Sequence, residues 1–221
     1  MLTAPVVPDL ASHAPLWLAL LTVGVNAVVG ALRGYDDDSR PWDVVGVSTF
    51  ALLMGLGGGF IRDMLLGNLP AESLRSPWYL SVVLVAIGVV LVVGRHLSRV
   101  EFVMDVLNAL ALGLFAVTGT AYGFTFGLPV VSAVLVGVVS AVGGGVLVSV
   151  LQNHIPGILV ASTPNALLAV VAAGVYAALG WWSPAWGSVA GIGAVLLLAL
   201  LARRYDLQTR PAGRAPEASV A

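Results

Sequence analysis

The stretch MGLGGGFIRDMLLGNLP, Met54–Pro70, decides how this chain is read. Three consecutive glycines, Gly57, Gly58 and Gly59, sit inside an apolar run, followed closely by Arg62 and Asp63 and then by a proline. Glycine costs about 1 kcal/mol against alanine inside a helix, so the triplet weakens a helix by roughly 3 kcal/mol. A greasy segment that accepts this loss and sets two charges beside it needs a reason beyond a straight helix.

The surrounding composition names the solvent. Of 221 residues, 59% are hydrophobic and 10% are charged, and the mean hydropathy is +0.99. Soluble domains carry about 25% charged residues, so an all-α integral membrane protein is the class that fits. The net charge of −1 gives no footprint for nucleic acid. With no cysteine, thiolate metal sites and cysteine nucleophiles are excluded. His13, His96 and His154 are scattered without metal-ligand spacing, and no nucleophile–base constellation appears, so neither an enzyme nor a metal or cofactor site is expected. A permeant potassium ion and bound lipid are compatible with this composition.

A bilayer core about 30 Å thick takes about 20 apolar residues per helix. Seven spans are expected, at 15–33, 43–67, 77–94, 100–122, 129–152, 164–182 and 185–203, separated by short Gly- or Pro-bearing connections. Residues 1–14 lack the basic start of a signal peptide and read as an external segment. Residues 205–221 are rich in Pro, Ala and Arg and read as a disordered cytoplasmic tail. All ten basic residues are arginine. With the N-terminus outside, Arg33, Arg40, Arg95, Arg99, Arg203, Arg204, Arg210 and Arg214 fall inside and Arg75 alone falls in an outer loop. That bias gives N-out, C-in. The run from Asp36 to Arg40 reads as a solvated loop rather than a cation site.

The glycine triplet recurs at Gly143, Gly144 and Gly145, a separation of 86 residues. Each triplet lies 13 residues ahead of a proline, Gly57 to Pro70 and Gly143 to Pro156. The triplets fall in the second and fifth spans, which run in opposite directions. The chain therefore divides into a first three-helix repeat, 15–94, an inverted second repeat, 100–182, and a seventh helix, 185–204. Inverted repeats with interrupted helices at matching positions mark a transport pathway between the halves. A single triplet would be read as close helix packing; two in symmetric positions favour a kink or break at each, with backbone carbonyls freed to meet a dehydrated cation.

Arg62 and Asp63 are expected in the outer half of the second span, either locking freed carbonyls or lining an outer vestibule. Adjacent helical positions point about 100° apart, so the two need not pair. Val148 and Ser149 occupy the matching places in the second copy, which predicts a charged outer end and a neutral inner one. Asn108, one turn beyond Asp105, is expected deep in the membrane and facing the pathway. Thr118 and Thr120 are expected to bond back to their own helix.

These residues resemble the bacterial trimeric intracellular cation (TRIC) channel family, also called the UPF0126 or glycine-transporter domain family. The motif is an acidic residue, fourteen positions, GGG, two residues, RD and a closing LG…P, here Asp43, Gly57–Gly59, Arg62, Asp63, Leu66, Gly67 and Pro70. The resemblance runs from about residue 16 to 203. It implies a homotrimer with a pore in each protomer between kinked second and fifth helices, conducting monovalent cations, chiefly potassium. The chain departs from the family pattern at Val148 and Ser149, which replace a second RD, at Asn108, where an Asp is usual, and at Leu52 and Met54, near a usual Thr. These changes imply a less polar pathway. A secondary transporter of glycine or another small zwitterion is the second reading, and a non-conducting membrane structural protein the third.

Overall fold

The computed structural model describes residues 15–37, 40–97, 101–159 and 165–205, without the side chains of residues 95–97 and 101. The expected external segment at 1–14, with His13, lies outside these residues. So do Asp38, Ser39, Arg99, the tail beyond Tyr205 and the side chains of Arg95 and His96. Among the described residues the regular structure is helical. It comprises α1 (Leu16–Tyr35), α2 (Val44–Leu65), the one-turn α3 (Glu72–Arg75), α4 (Pro77–Leu97), α5 (Glu101–Thr125), α6 (Val130–Leu151), a 3-10 turn at Gly157–Leu159, α7 (Asn165–Leu179) and α8 (Pro184–Arg204).

Six of these helices are long and apolar enough to cross a membrane. The expected sixth span is the exception. Helix α7 has 15 residues. Residues 160–164, immediately before it, lie outside the described residues.

Local chemistry sets the ends. The Asp43 carboxylate caps α2 by accepting from the Gly46 N–H at 2.8 Å. Pro129, 86 positions on, starts α6 with no side-chain cap. The C-termini of α2 and α6 close alike. Gly67 (φ 67°) and Asn153 (φ 58°), again 86 apart, both take the left-handed conformation that a Schellman end requires. The six-residue bonds match as well, Asn68 N–H to Asp63 O and His154 N–H to Ser149 O, each 2.8 Å.

The repeat organises the interior. One apolar core lies between α1, α2 and α4, around Ala27, Leu32, Ala51 and Val83. A second lies among α5, α6, α7 and α8, around Ala116, Ala169, Ala172 and Val195. A smaller cluster of Val29, Phe50, Met54, Ala111 and Val148 joins them. Large exposed side chains such as Leu84, Val92, Val131 and Leu135 cover the outside, as a lipid-facing surface requires. Five exposed tryptophans, Trp17, Trp78, Trp181, Trp182 and Trp186, all lie at one end of the bundle by the alternation of the helices. Trp42, at the other end, is turned edge-on against Phe50 with 4.8 Å between ring centres.

Candidate pathway site

The glycine triplets do not break their helices. Both α2 and α6 are assigned as α-helix without interruption through Gly57–Gly59 and Gly143–Gly145. The reason is packing. The two helices cross at the middle glycines, where no side chain fits. A Cβ on Gly58 would fall on the Ser140 carbonyl oxygen, and one on Gly144 would come within 2.8 Å of the Met54 carbonyl oxygen. Ser140 and Met54 each stand four residues before the opposing glycine, so the contact is reciprocal across a pseudo-two-fold axis. The Gly58 carbonyl is not open to an ion, because the Ser140 hydroxyl donates to it at 3.2 Å. Gly57 and Gly143 close the contact against Leu147 Cδ1 (2.9 Å) and Ile61 Cδ1 (2.6 Å) respectively, measured from a built Cβ. Only the third members, Gly59 and Gly145, line open space.

That space is two cavities with no lining residue in common. One, about 20 Å³, lies toward the Arg62 end. It is walled by Ala19, Thr22 and Val23 of α1 and by Gly55, Leu56 and Gly59 of α2. The other, about 80 Å³, lies toward the opposite end. Its walls include Asn108, Ala111 and Leu112 of α5 and Ala141, Val142 and Gly145 of α6. The α2 positions map onto those of α6 by adding 86, and the α1 positions onto those of α5 by adding 89. The same six places, in two inverted copies, build both chambers. Between them lies the Gly58–Ser140 crossing.

At the Arg62 end, the two charges pair with each other. Arg62 Nε donates to Asp63 Oδ1 at 2.8 Å, and its Nη2 is 2.8 Å from the same oxygen and 3.6 Å from Glu72 Oε2. Adjacent helical positions point apart, but the long Arg62 side chain curls back over its neighbour. Arg62 and Asp63 are both buried. Asp63 Oδ2 also accepts from the Glu72 N–H at 2.8 Å, which ties the α2–α3 connection down. The Arg62 guanidinium lies 3.7 Å above the centre of the Tyr122 ring, and the Tyr122 hydroxyl donates to Glu72. Glu72 and Tyr122 were not singled out from the sequence. Glu72 lay in a stretch read as punctuation, and Tyr122 at a helix end read as apolar.

The opposite end is not neutral. Arg33, counted from sequence among the inner-loop residues, belongs to α1 and lines the larger cavity. Its Nη2 donates to Asn108 Oδ1 at 3.3 Å. Adding 89 to Arg33 gives Tyr122, the residue beneath Arg62 in the other chamber. Each chamber thus holds one guanidinium, supplied by α2 at one end and by α1 at the other. Val148 and Ser149 stand where a second RD was sought; Val148 is fully buried in the joining cluster, and Ser149 donates to the Gly145 carbonyl at 2.9 Å.

Several smaller expectations hold or shift. Thr118 and Thr120 do bond back, to Leu114 O (2.7 Å) and Ala116 O (2.8 Å). Asn26 ties α1 to α5 by donating to Ala111 O at 3.3 Å. Asp105 pairs with Arg203 of α8. The acidic loop is more than a solvated run, since Asp37 Oδ2 accepts from Trp42 Nε1 (2.7 Å) and Gln152 Nε2 (2.9 Å). His154 is exposed.

A protein-family model described as "Glycine transporter" matches residues 16–95 and 105–181, more than half the chain. A UPF0126 membrane protein of Deinococcus radiodurans is 32% identical over 143 residues, covering 65% of each chain. The UPF0126 inner membrane protein YadS of Escherichia coli K12 is 29% identical over 197 residues, covering 87% of this chain and 93% of that one. A solved structure described under "Structural basis for conductance through TRIC cation channels" is 25% identical and overlays with a TM-score of 0.79, covering 92% of this chain and 99% of its own. The chain belongs to the bacterial TRIC/UPF0126 family. The TRIC orthologue from Rhodobacter sphaeroides, at 27% identity, overlays with a TM-score of 0.77 and covers 87% of this chain and 98% of its own. The TRIC/UPF0126 fold is therefore present nearly in full, and its relatives are membrane proteins rather than enzymes.

Proposed function

We propose that this protein is a channel for monovalent cations, chiefly potassium, with one pathway in each protomer of a homotrimer in the bacterial inner membrane. The observation that carries the reading is the pair of inverted chambers facing each other across the α2–α6 glycine crossing. The likeness to structures of TRIC cation channels supports it. In this reading Gly57–Gly59 and Gly143–Gly145 let the two helices meet closely and part again. Opening separates Gly58 from Ser140, which frees the Gly58 carbonyl and joins the chambers. Arg62 and Asp63 order the outer mouth, and Asn108 faces the inner chamber. The arginine bias supports an N-out, C-in orientation, with the Arg62 end outside. A planar-bilayer recording under potassium, sodium and chloride gradients tests this reading. A reversal potential near that of potassium is expected, and one near that of chloride, or no current at any voltage, would overturn it.

The description of the matching family model as a glycine transporter favours a second reading, carriage of a small zwitterion. Proteoliposomes separate the two. Saturable glycine uptake without ion current supports the carrier, and potassium flux indifferent to glycine supports the channel.

A further inference from the structure

The two guanidiniums differ in what surrounds them. Arg62 is met by two carboxylates, Asp63 and Glu72, and by the face of Tyr122. Arg33 is met by an amide: its side-chain hydrogen-bond partner is Asn108, and among the described residues it forms no ion pair within 4 Å. Asp37, two residues past the end of α1, has its Oδ2 taken by Trp42 and Gln152. A charge inside a membrane bundle calls for a counter-charge, and none of the described residues supplies one within 4 Å of this guanidinium.

The surroundings of Arg33 suit a ligand that brings one. The chamber it lines holds about 80 Å³, against about 20 Å³ at Arg62. A water needs about 10–15 Å³ of such space, so the Arg33 chamber takes several waters or a small solute. Its wall includes Asn165, the first residue of α7.

We propose that the Arg33 chamber is a binding site for a small monovalent anion, a halide or a small carboxylate, held by the Arg33 guanidinium beside Asn108 at the start of α7. The bound anion neutralises Arg33 and removes a fixed positive charge from the chamber. This site does not depend on which solute crosses the membrane.

The test uses full-length protein in detergent. Thermal unfolding is followed in sodium chloride, sodium formate and sodium gluconate at matched ionic strength, the last too bulky for the chamber, and in gluconate with added glycine. At roughly ten times Kd, a rise in Tm of about 3–5 °C over gluconate alone is expected for the anion that binds. Arg33→Gln should abolish the rise. A shift with chloride alone assigns an inorganic anion, and one with formate or glycine a carboxylate. Equal Tm in all salts, or a shift that survives Arg33→Gln, would overturn the proposal. Should Arg33→Gln not fold, bromide-soaked crystals of the wild type decide. An anomalous peak, or formate density in crystals soaked in formate, is expected within hydrogen-bond distance of the guanidinium, and the absence of both at that position rejects the site.

Discussion

The Arg62 and Arg33 ends of the bundle are inverted copies of one chamber that solve the same problem differently. At the Arg62 end the charge is neutralised by the chain itself, the chamber is nearly filled, and a connecting segment is bonded over it. At the Arg33 end the chamber is larger and the charge is left to an amide. A repeat conserves backbone geometry, such as the crossing, the Schellman ends and the cavity walls. It leaves the placement of charge free to move from one helix to its neighbour.

The comparison can be broken most forcefully at Asp63. Asp63→Asn leaves Arg62 buried with its closest partner neutral. The expected loss is about 3–5 kcal/mol, read as a large drop in Tm or a failure to purify folded protein. A fall no greater than that of a surface substitution would mean that Glu72 alone suffices for Arg62.

The crossing between the chambers comes next. Gly58→Ala drives a methyl group into the Ser140 carbonyl, and overpacking of this kind costs about 1–3 kcal/mol. Gly59→Ala, one residue on, meets nothing within 4 Å and should be neutral or stabilise α2 by up to about 1 kcal/mol. Opposite signs in the thermal unfolding of these neighbours would confirm that the triplet serves a contact at its middle. Equal effects would return the argument to intrinsic helix weakness.

Smaller changes sharpen the picture. Ser140→Ala removes the hydroxyl bonded to the Gly58 carbonyl, an expected loss of about 0.5–1.5 kcal/mol, with ion flux in liposomes raised if that bond holds the crossing shut. Asp43→Ala should cost about 1 kcal/mol of N-cap stability, whereas Pro129→Ala at the matching place of α6 has no side-chain cap to lose. The difference between the two shifts in Tm isolates the cap.

Much of this fold was legible because a membrane restricts the choices. Helix number, short connections and the inverted repeat followed from hydropathy and from two matched Gly-to-Pro spacings, and six spans fall within three residues of the expected bounds at either end. The described part of α7, Asn165–Leu179, falls within the same margin of the expected 164–182. The breaks at GGG were inferred from propensity, which a close helix–helix contact overrides. Arg33 was hidden by a register change. The first helices of the two repeats are related by 89 residues and the second by 86, the chain between equivalent positions of α1 and α2 being three residues longer than between those of α5 and α6. A single-offset alignment therefore never sets Arg33 against Tyr122. Glu72 was hidden because pairing across a loop leaves no periodic trace.

The five tryptophans at the Arg62 end have a mechanical consequence. Indole rings prefer the headgroup layer, so that end is moored at a fixed depth. At the other end Trp42 is folded onto Phe50 and Asp37, and the exposed aromatic rings are those of Tyr35, Phe102 and Tyr205, with no exposed indole among the described residues. When the bilayer swells or thins, the mismatch is absorbed where anchorage is weakest. The indole-rich Arg62 end is therefore the more firmly held of the two in depth.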